Sequence, residues 1–196
     1  MPRLIDIMYD DPPGDMRAIE PDLRKAKAIG ALTMRAGMEI AIERTAVALD
    51  GGRAVGLLET RRPGDKTLGA TARATLGVFV RGLPIVGVRG LVRYLRYQRA
   101  RAKVQIKHPR DAYYIGELDV DPTCRNRGIG AQLLAHAEAE ARALGIAQLA
   151  LCTGVSNPAQ HLYERAGYRI VETRRHLDYE RVTGNPGRVL MVKELR

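Results

Sequence analysis

Tryptophan is absent from this chain and phenylalanine occurs once, so aliphatic side chains and alanine must build the core. Cysteine is nearly absent too. Cys124 and Cys152 alone exclude a disulfide scaffold and lack metal-ligand spacing, so no metal is expected and a reducing cytoplasm is the natural setting. Apolar runs are short. None reaches the ~18 residues of a membrane span, and Asp6, Asp10, Asp11 and Asp15 leave no apolar stretch for a signal peptide. The most uneven absence is of negative charge. Between Lys66 and Arg110 there is no Asp or Glu, while 11 Lys and Arg residues fall there. The rest of the chain has 21 basic and 22 acidic residues, so this segment carries the whole net charge of +10.

What is present fits one domain of 196 residues, long enough to bury roughly 70% of its unfolded surface. Arg3 to Tyr9 alternates like a strand, and Pro21 to about Arg35 favours a helix. Thr45–Leu49 and Arg53–Leu58 flank Asp50-Gly51-Gly52, a hairpin signal. Asp111–Val120 reads as a strand, and Gly130–Leu144 as a helix with an apolar stripe of Leu133, Leu134, Ala137, Ala141 and Leu144. A buried-type strand at Ala147–Cys152, a short helix after Pro158, and strands at Tyr168–Val171 and Val189–Val192 complete the order. Alternating elements of this kind predict an α/β fold with a mixed sheet.

The most specific stretch runs from Asp119 through Pro122 to Arg125-Asn126-Arg127-Gly128-Ile129-Gly130 and into a helix. A helix start leaves several N–H groups without partners at the positive end of the helix dipole, and glycines let an anion approach the main chain. There is no Gly-Lys-Ser/Thr, and the motif is one glycine short of the dinucleotide fingerprint. Downstream stands Ser156-Asn157-Pro158-Ala159-Gln160-His161-Leu162-Tyr163-Glu164-Arg165-Ala166-Gly167-Tyr168.

The two motifs together resemble the pyrophosphate loop and the second signature of the GNAT N-acetyltransferase superfamily. The resemblance implies an α/β fold with a mixed sheet flanked by helices in a single domain, interrupted here by a basic insertion over residues 61–110. It also implies acetyl-CoA as co-substrate and a primary amine, on a small molecule or a protein, as acceptor. By position, Arg125, Asn126, Arg127, Gly128, Ile129 and Gly130 would bind the pyrophosphate, and the main chain at Leu118 and Val120 the pantetheine. Tyr163 would protonate the departing thiolate, since a phenol with pKa ~10 is a loaded donor at neutral pH. The family's asparagine position falls on Ser156 rather than Asn157, so the two share the expected cofactor contact, with N-capping as the other use of Asn157. Glu117 is the expected general base. Its parity is opposite to that of Leu118 and Val120 in a regular strand, although a bulge would mix the faces.

Within the insertion, Val88, Leu91, Val92 and Leu95 recur at helical spacing, with Arg89, Arg93 and Arg96 on a second, solvated face. Pro84 and the surrounding glycines argue against one rigid helix. Such a segment suits an acceptor entrance that disfavours polycations, a nucleic-acid contact, or an anionic membrane contact. A binding module without turnover and a homodimer also stay open on sequence alone.

Overall fold

The structure, a computed structural model, describes residues 6–7, 18–41, 44–64 and 68–195, without the side chains of 33–43, 68–76 and 79. Most of the strand expected at Arg3–Tyr9 lies outside these residues. Asp6 and Ile7, which are described, are helical rather than extended. The first long element is helix α1, Leu23–Ala41. It begins after Pro21 because Asp22 caps it, accepting the N–H of Arg24 at 2.9 Å.

Strands β1 (Thr45–Asp50) and β2 (Arg53–Arg61) form the expected hairpin. Gly51 and Gly52 turn it at φ 57° and 79°, where residues with a Cβ are strained. Helix α2, Leu68–Lys103, then fills most of the insertion. It breaks at Gly87, whose φ of 63° and ψ of −172° suit glycine alone. Strand β3 (Tyr113–Val120), a 3₁₀ turn at Pro122–Cys124, helix α3 (Ile129–Ala143) and strand β4 (Gln148–Gly154) follow. Helix α4 (Gln160–Arg165), strand β5 (Arg169–Arg175), helix α5 (Leu177–Thr183) and strand β6 (Gly187–Glu194) complete the described chain.

The six strands form one mixed sheet in the order β1-β2-β3-β4-β6-β5, with only β3 and β4 parallel. One face packs against α3 through Leu58, Tyr113, Ile115, Leu134, Leu149 and Met191. Burying each such side chain contributes roughly 1.5–3 kcal/mol. The other face is covered by Ile106 and Ala112, which pack on Ala150 and Leu190. Helix α2 has α1 and α5 as its main partners rather than the sheet. Tyr97, Ala100 and Val104 of the α2 end meet Tyr179 of α5 in a separate small core.

The docked side of α2 is not its apolar row. Gly90, Tyr97 and Ala100 point inward, whereas Val88, Val92 and Leu95 are 75%, 50% and 47% exposed. Arg93 is not on a solvated face either. Its Nη2 meets Glu20 at 2.9 Å and its Nε donates to the Ile19 carbonyl at 2.9 Å. After the break at Gly87, a Cβ on Gly90 would stand 2.3 Å from that of Val86 in the same helix, so this position of the kink requires glycine.

Candidate active site

The site grows from the way β3 leaves β4. The parallel pairing covers only Tyr113 to Ile115 on β3 and Leu149 to Leu151 on β4. From Gly116 onward β3 stays paired with β2, through Glu59↔Glu117 to Gly56↔Val120, while Cys152 to Gly154 of β4 stay paired with β6. The two strands thus end with facing edges that are unpaired. An unpaired edge presents N–H and C=O groups that need a partner.

At the point of divergence β3 carries a bulge. Thr60 pairs with Ile115 but Glu59 pairs with Glu117, so Gly116 is the extra residue. The bulge changes the parity of the strand. Tyr113, Ile115, Leu118 and Val120 all pack toward the α3 core, although odd numbers give way to even ones. Glu117 and Asp119, two residues apart, therefore share the opposite face. Cross-strand Glu59 stands beside Gly116, where a Cβ would lie 3.4 Å from its Oε1.

The electrostatics are unusual at this edge. Glu117 opens to solvent but stands in dense protein surroundings, and this desolvation, with Asp119 and Glu59 nearby, pushes its carboxyl up to about 8. Desolvation likewise raises Asp119 to about 6, against the pull of Arg125. Neither carboxylate has a hydrogen-bond or ion-pair partner among the described residues. Tyr163, on α4, is buried in the α3-side core, and its ring packs edge-on to Tyr168 at 6.1 Å between centroids. Burial and then the charges of Asp119 and Glu117 raise its phenol well above the ordinary value, so it is protonated throughout the neutral range.

The charges that bear most on Glu117, Asp119 and Tyr163 come from one another, Glu59, Arg61, Arg125 and Arg188. None belongs to Lys66–Arg110. The basic segment packs on α1 and α5, and carboxylates line the open strand.

The loop before α3 has the local geometry expected of an anion cradle. Asp121 organises its entry by accepting the Thr123 N–H at 2.9 Å and pairing with Arg53 at 3.1 Å. Asn126 and Gly128 adopt left-handed φ of 62° and 83°. Among the described residues, no backbone or side-chain acceptor meets the N–H groups from Asn126 to Ala131. Ile129 and Gly130 open the helix itself. A Cβ on Gly130 would be 2.9 Å from a Leu162 methyl, so that glycine seats α3 against α4. Arg127 leans away toward Asp50, at 3.2 Å, while Arg125 stays near the Val120 carbonyl at 3.4 Å.

In the turn after β4, the side chain of Asn157 is already engaged. It donates to Thr153 Oγ1 at 2.8 Å and accepts the Ala159 N–H at 2.9 Å, an Asx turn ahead of α4. Ser156 is exposed. Gln160 clamps the end of β4 by donating to the carbonyls of Gly154 and Val155 at 2.8 and 2.7 Å. Two residues of the site escaped the sequence reading. Glu59 enters through cross-strand register, for which local spacing carries no signal, and Thr153 through its bond to Asn157.

A profile of the acetyltransferase (GNAT) family matches residues 9–168, most of the chain. This chain belongs to the GNAT family. Solved structures share the fold at low identity. A crystal structure described as an acetyltransferase is 20% identical, with a TM-score of 0.57 over 100% of this chain and 95% of its own. A Drosophila melanogaster polyamine N-acetyltransferase is 19% identical, with a TM-score of 0.56 over 98% of this chain and 91% of its own. A Bacillus subtilis acetyltransferase in complex with CoA is 16% identical, with a TM-score of 0.50 over 81% and 82%. No match was found among curated proteins. Among the described residues no helix is long and apolar enough to cross a membrane, and no group of three or more His, Cys, Asp and Glu residues is arranged to hold a metal.

Proposed function

We propose that this protein transfers an acetyl group from acetyl-CoA to a primary amine that arrives as an ammonium ion. The observation that carries this reading is the diverging β3–β4 edge, with Glu117 and Asp119 unpartnered on one face of β3 and Tyr163 in the core behind it, near enough for their charges to raise its phenol. Carboxylates held without partners in poorly solvated surroundings are destabilised, and a bound cation relieves that cost. The acceptor's ammonium is the simplest cation that does so.

Acetyl-CoA, as substrate, brings an anionic diphosphate and a thioester. The unpartnered N–H groups of Asn126–Ala131 fit the diphosphate, with Arg125 adding charge and Arg127 held back by Asp50. The unpaired edge of β3 at Leu118 and Val120 fits an extended amide chain, as an added strand would, and a backbone N–H there polarises the carbonyl. Ser156 is free to meet the same substrate, whereas the Asn157 amide is committed to Thr153 and Ala159.

Glu117 takes one proton from the ammonium. Its value near 8 leaves a gap of only about two pH units to a lysine-like amine at ~10.4, against about six for an ordinary Glu. The freed nitrogen attacks the thioester carbon; the C–N bond forms and the C–S bond breaks. Tyr163 gives its phenolic proton to the thiolate and is restored by the second proton that leaves the nitrogen. The products are the N-acetyl amine, CoA thiol and one released proton.

Thiol release from acetyl-CoA measured across amines, including diamines, amino acids and a lysine peptide, tests the reading. Release that depends on amine and is strongest for acceptors with a second cationic group is the expected result. Release with no amine dependence would remove the transfer activity, and strongest release with anionic amines would remove the role of the carboxylates.

A further inference from the structure

We propose that the outward face of the second half of α2 docks on an anionic lipid surface. Three apolar side chains stand exposed there, Val88, Val92 and Leu95, spaced i, i+4 and i+7 and so aligned in one row. Gly90, Tyr97 and Ala100 occupy the opposite, inward side, so the row faces away from the protein body. Exposed Arg89 and Arg96 follow Val88 and Leu95 by one residue, about 100° round the helix, and flank the row. Arg99, four residues after Leu95 and also exposed, extends it. No acidic residue occurs anywhere between Lys66 and Arg110 to weaken this field.

An apolar row flanked by arginines and lying along a helix fits the headgroup boundary. The aliphatic side chains enter the acyl region and the guanidinium groups meet lipid phosphates. Nucleic acid fits less well, since its phosphates would face the aliphatic row. A second copy of this chain fits less well again, because pairing the same rows across a two-fold axis brings arginines against arginines. The segment is not a span, so the contact is one of lying on the surface.

Sedimentation with vesicles tests the proposal. The full-length protein should pellet with vesicles of phosphatidylglycerol and phosphatidylcholine, pellet poorly with phosphatidylcholine alone, and be released by salt. Replacing Arg89, Arg96 and Arg99 by Gln should weaken binding about fivefold per residue. Val88→Ser, Val92→Ser and Leu95→Ser together should also weaken it. The amine-dependent thiol release and the thermal midpoint should stay nearly unchanged in both variants, because the substituted side chains face solvent. Failure of the wild type to bind phosphatidylglycerol vesicles, or equal binding by the serine variant, overturns the proposal. So does a dimer in light scattering that the serine variant dissolves, since the row is then covered by a second copy.

Discussion

Two carboxylates of this protein stand in opposite settings, one buried and fully partnered, the other exposed and without partners. Glu20 is only 4% exposed, but it receives Arg93 at 2.9 Å and the Asp22 N–H at 3.1 Å. Glu117 is reachable by solvent and receives nothing, so its surroundings push it to about 8. Burial with a full set of partners fastens the segment at 18–22 to α2. Dense surroundings without partners raise the carboxyl of Glu117, the feature on which its proposed role as base rests. The difference separates architecture from chemistry more sharply than burial alone does.

The largest test of that contrast lies on the architectural side. Arg93→Ala leaves Glu20 buried and unpaired and should lower stability by about 3–5 kcal/mol, read by denaturant unfolding. Removing Arg89 and Arg96 together should shift it by less than about 1 kcal/mol, because both are exposed. On the chemical side, Tyr163→Phe should lower turnover by roughly 10- to 1,000-fold with acetyl-CoA affinity nearly intact in calorimetry. Full turnover in that variant would reduce Tyr163 to a packing residue. Gly128→Val should weaken acetyl-CoA binding about tenfold or more. There is open space around Gly128, so the left-handed φ of 83° and the blocked approach to the main chain cause the loss.

The smallest effect is on stability against pH. Folded Glu117 holds its proton up to about 8, whereas the unfolded chain releases it near 4.5. The native state therefore loses stability as pH rises between those values. Glu117→Gln removes this loss, so its melting temperature should gain on the wild type between pH 5 and pH 9.

The legible parts of the sequence were those in which neighbours along the chain decide the outcome. The β1–β2 hairpin followed from Asp50-Gly51-Gly52, and α3 from its apolar period after Gly128. The break in α2 was foreshadowed by Pro84 and the glycines, and it fell at Gly87. Helix α5 was overlooked, although His176 caps it by accepting the Asp178 N–H at 3.0 Å and Gly184 ends it at φ 75°. Histidine is an uncommon cap, so the start of the helix carries little local signal. Hydrophobic period grouped Val88, Val92 and Leu95 in one row of α2 but left open what that row meets. The Glu20–Arg93 pair, invisible to local spacing, fixes the opposite side of the helix to the segment at 18–22. The pairing of Glu59 with Glu117 depends on a bulge at Gly116 and on strand register, which only the assembled sheet defines.

The pH dependence of amine-driven thiol release, in wild type and Glu117→Gln, tests the central claim most directly. The wild-type rate at saturating amine should rise with pH through a limb near 8, as Glu117 loses its proton and becomes the acceptor of the ammonium's. The Gln variant should be about 100-fold slower and should lack that limb, following only the amine's own deprotonation. A variant that keeps both the wild-type rate and the limb near 8 would contradict the assignment of Glu117 as the base at the open edge of β3.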